Sequence, residues 1–78
     1  MLAFEWQEQP ANWTLYVFAL DTEGVHAEGC YVMAKEPPFW YERWRGNWYE
    51  RPPSRLHPLQ ATTIEEAKTC LEVIARMG

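Results

Sequence analysis

Two apolar segments on either side of a four-residue turn restrict this chain more than any other feature. Trp13 to Leu20 carries Trp, Thr, Tyr, Val and Phe, the residue types that fit a pleated surface. Asp21-Thr22-Glu23-Gly24 follows; it has turn composition, with Gly24 able to take positive φ. Val25 to Lys35 then returns as the partner strand, and Gly29 inside it marks a bulge or a close backbone approach. In a simple hairpin register, one face carries Trp13, Leu15, Val17, Cys30 and Val32. The other carries Tyr16, Phe18, Leu20, Tyr31 and Met33. Both faces are apolar, so one covering layer cannot bury the hairpin. The second face must curl onto itself, dimerise or bind something. In the dimeric solution, Tyr16, Phe18, Tyr31 and Met33 pair across a two-fold axis.

The covering layer lies at the C-terminal end. Thr62 or Thr63 begins a helix, each with a glutamate three residues on, Glu65 or Glu66, at capping-box spacing. Ile64, Ala67, Leu71 and Ile74 share one face, with Cys70 and Met77 beside them. Acids in the first turn and Arg76 in the last suit the helix dipole. At the other end, Leu2, Phe4 and Trp6 alternate with Ala3, Glu5 and Gln7, the period of a short strand.

Between these elements lies an aromatic segment. Residues 39 to 51 hold six aromatics (Phe39, Trp40, Tyr41, Trp44, Trp48 and Tyr49) and three arginines (Arg43, Arg45 and Arg51). Trp40-Tyr41-Glu42-Arg43 recurs as Trp48-Tyr49-Glu50-Arg51, with Gly46-Asn47 between the copies. This predicts a β-hairpin bounded by Pro37-Pro38 and Pro52-Pro53. A two-residue turn pairs Glu42 with Arg51, Arg43 with Glu50 and Trp44 with Tyr49; a three-residue turn would oppose two glutamates, so the first register is preferred. Ser54 to Ala61 reads as an extended connection without periodicity.

The expected fold is therefore α+β: one domain over 1–78, with an antiparallel sheet of four to five strands (2–8, 13–20, 25–35, 39–45 and 48–51). One C-terminal helix (63–77) is packed on one face. A chain of this length has a modest core. Two cysteines, Cys30 and Cys70, make no disulfide framework, and both fall on apolar faces, so buried thiols are expected. No stretch approaches the roughly 20 apolar residues of a membrane span, and no signal peptide is recognisable. The expected setting is the reducing cytoplasm, with no membrane partner.

No spacing supports catalysis. His26 and His57 have no cysteine or carboxylate at metal-ligand spacing, and neither a phosphate loop nor a nucleophile elbow is present. Glu65 and Glu66 diverge on their helix and act as helix-start residues. The expectation is no catalytic residue, no metal and no cofactor. The aromatic and arginine residues can be read three ways. They can zip a small hairpin together, form a protein-interface hot spot, or stack on bases while the arginines meet phosphates. The net charge of −4 weighs against the last. That charge is uneven: residues 1–36 hold six acids against Lys35, while 37–60 hold four arginines against two glutamates. Glu5, Glu8, Asp21, Glu23 and Glu28 could imitate a phosphate track, or simply solvate exposed strand edges.

Taken along its length, the opening Leu2-Ala3-Phe4-Glu5-Trp6, the Trp-rich central hairpin and the closing Thr63-Ile64-Glu65-Glu66-Ala67-Lys68 helix resemble small phage- and prophage-encoded proteins. That group includes anti-CRISPR-type inhibitors, which bind a host defence complex and block its access to nucleic acid. The resemblance implies a compact, non-enzymatic, acidic binder in the host bacterial cytoplasm, with a host protein complex, such as a CRISPR effector, as the expected partner. It assigns no residue by position. From the residues themselves, the binding set is Trp40, Trp44, Arg45, Trp48 and Tyr49, with Asp21 and Glu23 adding complementarity to a basic partner. The alternatives are a single-stranded nucleic-acid-binding module using the same hairpin and the homodimer described above.

Overall fold

The computed structural model describes residues 1–44 and 55–77. The expected strand 48–51, the Gly46-Asn47 turn and the hairpin register lie outside the described residues. Four strands, β1 (Leu2–Glu8), β2 (Asn12–Asp21), β3 (Gly24–Ala34) and β4 (Tyr41–Trp44), form one antiparallel sheet in chain order, and helix α1 (Ile64–Met77) follows. The class is α+β, as the patterning predicts.

The hairpin of β2 and β3 departs from simple register at one point. Asp21 pairs with Gly24 and Phe18 with Ala27, but Val17 pairs with Gly29, so Glu28 is an extra residue on β3. Gly29 has φ of 144°, a conformation that side chains oppose. Because side chains alternate with period two, this bulge turns every later residue of β3 to the opposite face. Leu15 therefore stands opposite Tyr31, and Trp13 opposite Met33. The face assignment made from simple register is corrected accordingly. Trp13, Leu15, Val17, Tyr31 and Met33 share one face, while Thr14, Tyr16, Phe18, Cys30 and Val32 share the other.

The main core lies on the first of these faces. Leu15, Val17, Tyr31, Met33, Phe39 and Leu59 are buried in one cluster with Ala67, Leu71 and Ala75 of α1. Phe4, Trp6, Trp13, Tyr41, Ile64, Cys70 and Ile74 pack around it. The helical stripe includes Ala75, and Met77 projects outward instead of joining it. Three cations roof the aromatic rings. The Lys68 ammonium lies 3.5 Å from the Trp13 ring centroid and 5.4 Å from that of Trp6, and the Arg76 guanidinium lies 4.9 Å from that of Phe4. Arg43 stands 5.4 Å over Tyr31. Such contacts let long charged side chains cover apolar surface while their heads stay wet.

Thr63 is the helix N-cap: its hydroxyl accepts the Glu66 N–H at 3.2 Å. The Glu66 carboxylate reaches back to the Thr62 hydroxyl at 3.2 Å, so both threonines serve the helix start.

The passage into β4 is tight. The Phe39 N–H donates to the Glu36 carbonyl at 2.8 Å across Pro37-Pro38, whose peptide is cis. Phe39 itself has φ of 53° and is 2% exposed, so the strand expected from residue 39 begins at Tyr41. Beyond β4, the aperiodic connection contributes a bridge. Tyr41 and His57 exchange two backbone hydrogen bonds of 2.9 Å, and the Leu59 N–H donates to the Pro38 carbonyl at 2.9 Å. This places the connection along the outer edge of β4 and buries Leu59.

Candidate functional site

The surface around that bridge carries two exposed apolar side chains with a basic neighbour. Trp40 is 44% exposed and Leu56 is 56% exposed, and each lies one residue from the bridged pair Tyr41 and His57. Exposed large apolar side chains are ordinary when scattered; two that flank one backbone bridge make a local patch. Arg55 and His57 are exposed beside them. Trp40 is held in place through its backbone, because its carbonyl accepts the Ala34 N–H at 2.8 Å. The His57 ring lies 5.6 Å from that of Tyr41. Burial, and then the neighbouring Tyr31, push the Tyr41 phenol above its usual range.

Next to this patch, β4 carries a buried carboxylate. Glu42 is only 6% exposed and accepts a 2.8 Å hydrogen bond from Trp44 Nε1. Trp44 pairs with Cys30 and Glu42 with Val32, which places the carboxylate near the buried thiol. Burial, and then the Glu42 charge, push the Cys30 thiol up to about 11. A thiol so perturbed stays protonated at neutral pH and is a poor nucleophile.

The structure separates the residues singled out by sequence. Trp40 precedes β4 and Trp44 ends it. Asp21 and Glu23 occupy the β2–β3 turn, at the far end of β3 from Trp40. The 11 residues of β3 span roughly 35 Å at the usual rise, so the acids lie about one strand length from the tryptophans. Asp21 is engaged locally, accepting the Glu23 N–H at 2.7 Å and lying 3.3 Å from His26 Nε2. Arg45, Trp48 and Tyr49 lie outside the described residues. The proposed dimer set is divided as well: Tyr16 and Phe18 lie on one face, while Tyr31 and Met33 are buried on the other with the helix stripe. The bulge at Glu28 is the physical cause.

Leu56 was missed by sequence reasoning. The available signal was spacing: Leu56 and Leu59 are the apolar residues of an otherwise polar, proline-bearing connection, and an extended segment cannot bury both on one side. Among the described residues, no group of three His, Cys, Asp or Glu side chains is arranged to hold a metal ion. No helix there is long and apolar enough to cross a membrane. Scans of protein-family models, curated proteins and solved structures find no match to this chain.

Proposed function

We propose that this protein acts by binding another protein, without catalysis, through the β4-edge surface of Trp40, Leu56 and Arg55. The observation that carries this reading is the joint exposure of Trp40 and Leu56 on either side of the Tyr41–His57 bridge. Tryptophan and arginine are the types that dominate interface energetics, and a backbone already held by hydrogen bonds loses little freedom on docking. The resemblance to phage-encoded inhibitors supports a partner of one kind, a host defence complex with a basic nucleic-acid groove, such as a CRISPR effector. The acidic first half of the chain favours such a partner through long-range attraction.

The test is capture from a bacterial lysate with tagged protein, with and without nuclease, comparing wild type with the Trp40→Ala and Leu56→Ser pair. A defined protein complex that survives nuclease and is lost with the double variant supports the proposal. Capture that disappears with nuclease points to nucleic acid instead. Undiminished capture by the double variant rejects this surface.

A further inference from the structure

The two outer edges of the sheet differ. The β4 edge is bridged at Tyr41 by His57, and the Leu59 N–H donates to the Pro38 carbonyl just before the strand. Among the described residues, β1 is the opposite edge strand, and its seven residues pair with β2 in unbroken register, without a bulge or an internal proline. The direction of its backbone groups follows from the ladder. Met1 and Leu20 exchange hydrogen bonds through both N–H and carbonyl groups, and the Gln9 N–H donates to Asn12. Antiparallel pairs alternate between bonded and non-bonded, so Ala3, Glu5 and Gln7 face β2 while the amides and carbonyls of Leu2, Phe4, Trp6 and Glu8 point off the edge. The sheet thus offers a row of alternate donors and acceptors to an added strand.

The side chains beside this edge specify what fits. On the helix side, Phe4 and Trp6 are roofed by Arg76 and Lys68. On the other side, Ala3 and Glu5 stand in register with Phe18 and Tyr16. Glu5 is exposed, Ala3 is small, and its register partner Phe18 is half-buried. Glu8, further along, already holds Lys35 at 3.0 Å. An incoming strand therefore meets a carboxylate at one position and a small apolar residue two positions on. A second copy of this chain brings the same acids, and pairing centred on Glu5 sets two carboxylates opposite each other.

We infer that β1 is a docking edge for an extended segment of a partner protein with the pattern basic–any–apolar, its basic residue opposite Glu5 and its apolar residue opposite Ala3. This surface is separate from the Trp40–Leu56 patch, so either can fail while the other stands.

The probe is a synthetic peptide, Thr-Lys-Thr-Val-Thr-Lys-Thr, with a control carrying Glu for Lys. The readout is residue-resolved amide hydrogen exchange on the whole protein. Without peptide, the amides of Ala3, Glu5 and Gln7 are protected and those of Phe4, Trp6 and Glu8 exchange freely. The lysine peptide is expected to slow Phe4, Trp6 and Glu8 by about tenfold at saturation. The glutamate peptide is not, and Glu5→Lys should reverse that preference. Three outcomes overturn the inference: no slowing at millimolar lysine peptide, equal slowing by both peptides, or slowing that follows protein concentration without peptide. The last would make a second copy the occupant.

Discussion

Trp6 Nε1 donates a 2.9 Å hydrogen bond to the Glu72 carboxylate, tying the first strand to the last helix across 66 positions of sequence. Arg76 approaches the same carboxylate at 3.8 Å, one helical turn on. The bond is partly buried, so it fixes how the helix sits over β1 and β2 as well as adding stability. Glu72→Leu is expected to cost about 1 kcal/mol, in the range for hydrogen bonds to charged groups at a partly wet site. Glu72→Gln keeps an acceptor and should cost less. Thermal unfolding followed by circular dichroism decides: equal midpoints for the two variants would mean that the bond contributes nothing.

The bulge at Glu28 and Gly29 sets which face of β3 is core. Inserting an alanine after Gly29 moves the rest of β3 on by one place and sends Tyr31 and Met33 to the wrong side. The expected result is loss of cooperative unfolding, read by denaturant titration. Gly29→Ala keeps the register but forces a side chain to φ of 144°; it should cost about 1–3 kcal/mol. A fully stable insertion variant would show that the chain can absorb a further residue at the bulge.

Phe39 joins two opposing demands: its ring is buried, and its backbone has φ of 53°. Phe39→Ala should lose about 3–5 kcal/mol from cavity formation. Phe39→Gly removes slightly more side chain but relieves the left-handed backbone, worth about 1–2 kcal/mol. The glycine variant is therefore expected to be the more stable of the two, the reverse of the usual order. A glycine variant less stable than the alanine variant would contradict the backbone argument.

Cys30 titrates near 11 in the folded chain against an ordinary value of 9.0. Its folded pKa is raised, so the unfolded chain releases this proton first as pH rises. The stabilisation is complete below pH 9 and is lost between pH 9 and about 11, by up to roughly 1.4 kcal/mol per pH unit. Cys30→Ser should flatten that alkaline decline in urea titrations. In native protein, a thiol reagent at pH 7.5 should label Cys70, which is only half-buried, before Cys30. Equal labelling rates would place Cys30 nearer to solvent than the sheet geometry does.

At the proposed surface, Trp40→Ala removes a ring that is nearly half exposed, so the stability change should stay within about 1 kcal/mol. Partner capture should fall sharply, because an aromatic anchor is lost. A variant that binds as well as wild type, with unchanged thermal midpoint, would move the search to the β1 edge.

The class of fold was legible because its signals are local. Alternation in Leu2–Glu8, strand-favouring residue types in the two hairpin segments, turn chemistry at Asp21–Gly24 and the threonine–glutamate spacing before Ile64 each act within a few residues. They specify an antiparallel sheet and a capped C-terminal helix before any tertiary contact exists. Gly29 was recognisable as an irregular position for the same reason. Which way that irregularity turned the rest of β3 was a tertiary decision. One inserted residue reverses the sidedness of Cys30 to Met33, and local propensity is indifferent to the reversal. Burial of Tyr31 and Met33 with Leu71 and Ala75 supplies the preference. The position of His57 beside Tyr41 was equally invisible: a backbone bridge between distant segments leaves no side-chain pattern, and only the folded sheet shows that it leaves Trp40 and Leu56 exposed on either side.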